Sequence, residues 1–296
     1  MSVPQRIAIT GASGLIGTAL VGHLKAEGHT VQRLVRRAPV GADEVQWDPQ
    51  TGFVDIEALR GVDAIIHLAG VGVGDKRWSK KYKSEILNSR LLGTTAIAHA
   101  VAELKPQVFI SASAIGWYGE SGNRAVVETD RVGDDFLAAV CREWEGAADL
   151  AGDVRTVKLR TGLVLDPTGG ALGRMLPLFR LGLGGKLGNG KQWWSWITLH
   201  DQIRAIVFAL ENPISGPVNL TAPNPVTNQE FTSALARAMH RPALFPAPAL
   251  ALKIALGGFS SEILGSKRVM PHVLQEAGFT WDYPHISEAL AQLVED

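Results

Sequence analysis

The sequence predicts an α/β fold: a doubly wound parallel sheet followed by a small, mostly helical C-terminal domain. Three observations carry this expectation. A short β-type run at the N-terminus passes through spaced glycines into a helical pattern, strand-type and helical runs then alternate to about residue 165, and beyond that the composition turns rich in glycine, tryptophan and then proline.

Arg6 to Thr10 reads as the first strand, and a helical pattern follows from Leu15 to about Glu27, ended by Gly28. Further strands are expected at Thr30 to Val35, Val62 to Leu68, Gln107 to Ala112 and Arg155 to Leu159, with a short β-type run at Val45 to Trp47. Helices are expected between them at Ser84 to Leu104 and Asp134 to Leu150. Such alternation implies a parallel sheet with right-handed crossovers. From Asp166 to Gln192 the chain holds eight glycines and then reaches Trp193, Trp194 and Trp196, so residues 166–196 read as an irregular excursion. His200 to Leu210 resumes a helix, Val218 to Leu220 reads as a last strand, and a Pro-rich region from Pro223 through Pro248 leads into a helical tail. A boundary near Thr221 divides the chain into a domain of alternating strands and helices with the irregular excursion, 1–221, and a small C-terminal domain, 222–296.

At 296 residues the chain is long enough to bury a core without staples. Its 29 Lys and Arg balance 29 Asp and Glu, which removes the broad basic field that nucleic-acid or anionic-membrane partners use. Cys141 is the only cysteine, so there is no internal disulfide and a cytoplasmic, reducing compartment is expected. The most apolar stretches, Ile7 to Val21 and Ala247 to Phe259, are broken by glycines or by Lys253, and neither provides the roughly 20 continuous apolar residues of a membrane span.

The run Gly11, Ala12, Ser13, Gly14, Leu15, Ile16, Gly17 places glycines three apart between strand and helix. The first permits a tight turn, the second lets a pyrophosphate approach the backbone, and the third lets helix and strand pack closely. At the end of the second strand, where an acidic residue would accept from a ribose 2′-hydroxyl, stands Val35, followed by Arg36 and Arg37. Guanidinium donors there favour a 2′-phosphate and hence NADP(H) over NAD; Arg37 reads equally as a solvated surface residue. Asp48 is a candidate for the adenine amino group or, equally, for the turn that follows it.

The glycine run, HLAG from His67 to Gly70, SASAIGWYG from Ser111 to Gly119 and SWITLHD from Ser195 to Asp201 together resemble the extended short-chain dehydrogenase/reductases. Arg77 with Trp78, Ser89 with Arg90, CREWE from Cys141 to Glu145, GNGKQ from Gly188 to Gln192 and NLTAPNP from Asn219 to Pro225 look like one atypical branch, the sugar-nucleotide epimerase-like family with a small C-terminal domain of undefined function. The resemblance implies a Rossmann domain, an NADP-type cofactor lined also by Leu68, Ala69 and Gly70, and a substrate cleft toward the C-terminal part. It leaves the substrate open.

The superfamily's usual acid/base pair, a Tyr with a Lys four residues on, is missing: Tyr82, Tyr118 and Tyr283 are followed at that spacing by Ile86, Gly122 and Ser287. Aligning Glu145 on the Glu that commonly follows the Lys puts Leu137 and Cys141 in the Tyr and Lys positions. Ser113 matches the substrate-polarising serine, with a loop-tying role as its alternative. Tyr118 is the remaining phenol for proton transfer. Cys141 reads as packing, Glu143 and Glu145 as exposed helix residues, and Asp201 as a helix cap. Metal binding has no support, since no His pair with a carboxylate partner has ligand spacing. On the substrate side, Arg77 within KRWSKKYK is a candidate for an anionic group, although its neighbouring lysines also suit a solvated helix start; Trp117 and Trp194 are candidates for a cleft wall, or for core or subunit contacts.

The expected function is an NADP(H)-dependent oxidoreductase or epimerase-like enzyme on a small, phosphorylated or nucleotide-linked metabolite. A non-catalytic NADP(H) sensor on the same fold is the alternative, and a homodimer through the long helices is expected from superfamily habit.

Overall fold

The structure is a computed structural model that describes residues 3–295. Six strands, β1 (Arg6–Thr10), β2 (Thr30–Val35), β3 (Glu44–Asp48), β4 (Phe53–Val54), β5 (Ala64–His67) and β6 (Val108–Ala114), precede a two-residue strand β7 (Ala125–Val126); β8 (Thr156–Thr161), β9 (Leu163–Asp166), β10 (Trp193–Trp194), β11 (Trp196–Thr198) and β12 (Gly216–Leu220) follow. Eight of them form one sheet in the order β12-β8-β6-β5-β1-β2-β3-β4, parallel throughout except for the terminal β3–β4 hairpin. The expected doubly wound parallel sheet is therefore present. The chain runs outward from β1 through β2 and then returns to lay β5 on β1's other side, so strand order reverses between β1 and β5. Ligands of such sheets bind in the crevice at the carboxyl ends of the strands at that reversal.

Both faces of the sheet are covered, as its nearly continuous apolar strands require. Ile7 and Ile9 of β1 join Leu20 and Leu24 of helix α1 (Leu15–Ala26) and residues of a later helix, Leu199–Glu211, in one core. Ala8, one residue out of phase, joins Ile97 and Val101 of the long helix Lys80–Leu104 and Ala148 of the helix Phe136–Ala148 in the other. Numbered in chain order, these helices are α3 (Lys80–Leu104), α4 (Phe136–Ala148) and α6 (Leu199–Glu211), with α2 (Ile56–Leu59) and α5 (Gly170–Arg180) between them. Helix α3 starts four residues before the expected Ser84, because the Ser79 side chain accepts from the Tyr82 N–H at 3.1 Å.

The excursion at residues 166–196 is more regular than expected. Glycines frame α5, but inside it Leu172, Leu176 and Phe179 fall on one face and are buried, even though Pro177 removes one backbone donor. That face packs with Trp196 against Phe231 and Leu235 of α7 (Asn228–Ala238) and against Leu290 near the C-terminus. Helix α7 lies within the stretch read as merely Pro-rich; Thr227 and Glu230 cap its start reciprocally. Farther along, Arg268–Val269 pairs in parallel with β7, so the C-terminal part of the chain returns to the segment between β6 and the helix Phe136–Ala148.

Candidate functional site

The glycine turn and the end of β5 are held together by steric necessity. Gly11 has φ +69°, and a Cβ on it would stand 2.8 Å from the Ala69 nitrogen and from the Leu68 carbonyl carbon. The Thr10 hydroxyl draws the same segment in, accepting from the backbone N–H groups of Leu68 at 3.1 Å and Ala69 at 3.2 Å while bonding His67 Nδ1 at 2.7 Å. A Cβ on Gly17 would lie only 2.1 Å from the Gly11 oxygen, so the third glycine sets how closely α1 approaches the turn. Gly14 caps α1 without any side-chain hydrogen bond, leaving the first-turn N–H groups for an anion. Gly11, Ala12, Ser13, Gly14, Leu15, Ile16 and Gly17 therefore form one turn into α1, with Leu68, Ala69 and Gly70 beside it. Its donors, close backbone approach and missing Cβ atoms fit a dinucleotide pyrophosphate.

The pairing of Thr10 with Leu34 carries the end of β2 alongside the turn. Three arginines occur there, and two are already partnered. Arg33 bonds Asp43 through Nε and Nη2, both at 3.1 Å, and Arg37 makes two 2.7 Å bonds to Glu44, whose carboxyl is held down at about 2 chiefly by that contact. Arg36 is exposed and makes no hydrogen bond or ion pair among the described residues. Asp48 closes its own turn, accepting from the Gln50 N–H at 2.9 Å and from the Thr51 hydroxyl at 3.1 Å.

At the end of β6, Ser113 and Tyr118 enter a buried polar network. Ser113 donates to Glu145 Oε1 at 2.7 Å, and Arg160 of β8 grips both oxygens of that carboxylate. Arg160 Nη1 also donates to the Tyr118 hydroxyl and to the Glu128 carbonyl, both at 3.0 Å, while Tyr118 donates to Asn219 Oδ1 at 2.7 Å. Burial pushes the Tyr118 phenol up to about 12 despite the adjacent guanidinium. Both candidate catalytic hydroxyls thus have protein partners, and the phenol is poorly suited to act as a base. Leu137 and Cys141 are buried as well; the thiol is pushed up to about 12 by burial and by Glu145.

The remaining candidates are dispersed. Trp117 lies under Arg160, with Cζ 3.9 Å from its ring centre, and belongs to a small cluster with Ile115, Tyr118, Val126 and Val269. Trp194 packs edge-on against Phe231, 5.2 Å between ring centres, in the core shared by α5 and α7. Arg77 is exposed and lies against Gly257, where a Cβ would meet its Nε at 2.7 Å. The two tryptophans consequently occupy different clusters.

Two readings of acidic residues need correction. Glu145 is 5% exposed rather than solvated, because it shares the inward face of α4 with Cys141 and Ala148. Asp201 is not the cap of α6: Thr198 caps it, and Asp201 instead accepts from the N–H groups of Asp282 and Tyr283, both at 3.0 Å, tying down the C-terminal segment. His200, Asp201 and Asp282 converge within 4.8 Å, but Arg204 already bonds both aspartates. Sequence reasoning also missed Glu128, Arg160 and Asn219, whose partners lie far away in the chain. Among the described residues no helix is long and apolar enough to cross a membrane.

Comparison with known proteins identifies the family. Residues 7–139 match the NAD dependent epimerase/dehydratase family, and residues 247–293 match a domain of unknown function, DUF1731. An epimerase family protein of Mycobacterium leprae is 46% identical over 290 residues, covering 96% of this chain and 94% of that protein. The crystal structure of human epimerase family protein SDR39U1 (isoform 2) with NADPH is similar at a TM-score of 0.91 and 32% identity, covering 98% of this chain and 99% of that one. A nucleoside-diphosphate sugar epimerase of Corynebacterium glutamicum is similar at a TM-score of 0.79 and 36% identity, covering 99% of this chain and 58% of that one. The chain belongs to the NAD dependent epimerase/dehydratase family, in a branch that carries the C-terminal domain of unknown function.

Proposed function

We propose that the protein binds NADP(H) in the crevice at the ends of β1, β2 and β5 and acts as an oxidoreductase or epimerase-like enzyme on a small phosphorylated or nucleotide-linked metabolite. The observation that carries this reading is Arg36, an exposed guanidinium without a protein partner beside a glycine turn shaped for pyrophosphate. A 2′-phosphate supplies the bidentate acceptor that a free guanidinium suits. The human relative crystallised with NADPH supports the same choice. When bound, the cofactor supplies hydride chemistry at its nicotinamide ring. The chain would hold the adenosine end with Arg36 and the pyrophosphate with the first turn of α1, and Ser113 would orient the reacting oxygen once its hydroxyl turns from Glu145.

A second reading, a sensor that binds NADP(H) without turnover, is favoured by one observation: Ser113 and Tyr118 are both committed to buried protein partners, while Leu137 and Cys141 replace the usual pair. The separating experiment uses NADPH deuterated at either C4 face, incubated with the protein and a metabolite extract. Deuterium delivered to a metabolite from one face establishes a stereospecific reductase, and Ser113→Ala should then abolish transfer while leaving NADPH affinity intact. Firm binding without transfer overturns the reductase reading; conversion of a sugar nucleotide without net transfer identifies an epimerase.

A further inference from the structure

Most of the large apolar side chains that the fold leaves exposed belong to two segments. One is the turn that ends α5, with Leu181 and Leu183; the other runs from Leu244 and Phe245 into helix α8 (Ala249–Leu256), with Leu250 and Ile254. All six are half or more exposed. The segments lie side by side: the Phe245 N–H donates to the Gly184 carbonyl at 3.1 Å, that of Ala247 to the Lys186 carbonyl at 2.9 Å, and that of Gly188 to the Ala247 carbonyl at 2.8 Å. They also touch closely, since a Cβ on Gly185 would stand 2.1 Å from the Phe245 oxygen. These side chains thus belong to one stretch of surface and are not scattered singly. Helix α8 is the extreme case. Its sequence, ALALKIAL, has Lys253 as its one polar residue, and none of its side chains is buried. Eight residues are too few for a helix to stand on propensity alone, and a helix apolar all round is ordinarily covered.

The charges around this surface have one sign. Arg180, Lys186, Arg241 and Lys253 are interleaved with the apolar residues and make no ion pair among the described residues. No Asp or Glu occurs at residues 167–200 or 231–261, although the chain carries 29 of them. The zero net charge of the whole chain therefore hides a local excess of cations. A second copy of the chain would set those cations against their own kind. A helix with no buried residue is a convex edge, not a groove that receives a partner's side chains. Exposed leucines and a phenylalanine among unpaired lysines and arginines match the boundary of an anionic bilayer, where apolar side chains enter the acyl region and cations meet headgroup phosphates. We propose that this face, built from the end of α5, residues 244–248 and α8, docks the protein peripherally on an anionic lipid membrane. The proposal goes beyond the cofactor reading and stands independently of it.

The test mixes the full chain with sucrose-loaded vesicles of phosphatidylcholine, either alone or with phosphatidylglycerol added, and measures the pelleted fraction at low salt and at about 0.15 M. The wild-type protein should bind the phosphatidylglycerol vesicles about tenfold or more tightly than phosphatidylcholine alone, and less tightly as salt rises. Leu181→Glu with Ile254→Glu should weaken that binding about tenfold or more, as should Arg180→Gln with Lys253→Gln; a cooperative thermal melt shows that each variant is folded. Wild-type protein that stays in solution with both vesicles, or variants that bind as well as wild type, overturns the proposal. Self-association that Ile254→Glu abolishes, without vesicle binding, also overturns it and gives the face to a second copy. Hydrogen exchange needs no variant: vesicles containing phosphatidylglycerol should protect the amides of α8 and of residues 178–183 in the wild-type protein. Protection confined to other surfaces overturns the assignment.

Discussion

Arg160 and Glu145 meet in a two-point ion pair, Nε to Oε1 at 2.8 Å and Nη2 to Oε2 at 2.9 Å, with both side chains almost sealed from solvent. The pair joins β8 to α4 beneath the end of β6, and its carboxylate also holds Ser113. Glu145→Ala should therefore cost about 3–5 kcal/mol in urea unfolding, because it strands a buried guanidinium. Replacing both residues with apolar ones of similar volume should cost less than the sum of the single changes. Strict additivity in that double-mutant cycle would show that the two charges do not support each other.

The glycine turn separates a packing demand from a propensity effect. A Cβ at Gly17 collides with the Gly11 oxygen, whereas one at Gly22, in the same helix, meets nothing within 4 Å. Gly17→Ala should reduce NADPH affinity at least tenfold by opening the turn. Gly22→Ala should leave affinity unchanged and add about 0.5–1 kcal/mol of stability through helix propensity. Fluorescence titration and thermal melts read both effects, and an intact NADPH site in Gly17→Ala would remove the turn from the binding surface.

Arg36 and Arg37 are adjacent in sequence but differ in what they are free to do. Arg36→Ala should weaken NADPH binding at least tenfold while barely changing NADH, since only NADPH carries the 2′-phosphate. Arg37→Ala removes one of the two arginines paired with Glu44, leaving Arg33, and should shift both affinities together, by less. Equal effects of Arg36→Ala on the two cofactors would end the 2′-phosphate assignment.

What the sequence disclosed follows the range over which each signal acts. β1, β2, α1 and the glycine turn are written in local periodicity and spacing, and their ends fall within a residue of expectation. Helix α5 was hidden because its framing glycines outweigh an apolar face of only three residues. Glu145 left a trace, since it is four residues on from Cys141 along a buried face, but nothing in the strand VKLRT marks Arg160 as its partner. Asp201 misled for the same reason: its acceptors are satisfied by backbone more than 80 residues away. Polar networks closed by tertiary structure carry no short-range pattern, and here they hold both candidate catalytic hydroxyls.

The network also makes alkaline stability measurable at named residues. Burial, then Glu145, raises the Cys141 thiol from an ordinary value of 9.0 to about 12, and burial raises the Tyr118 phenol from 10.0 to about 12. Both groups hold their protons in the folded protein at pH values where the unfolded chain releases them. Their contribution to stability is thus fully present below about pH 9 and is lost as pH rises from there through about 12. Urea midpoints should fall from pH 8.5 to 10.5, and Cys141→Ala, although less stable overall from the cavity it leaves, should show a shallower fall. The native thiol should also resist alkylation at pH 8 and react only in denaturant, since a buried, protonated thiol is a poor nucleophile. Rapid alkylation of the native protein at that pH would mean that α4 opens readily and that Cys141 is not held where the network places it.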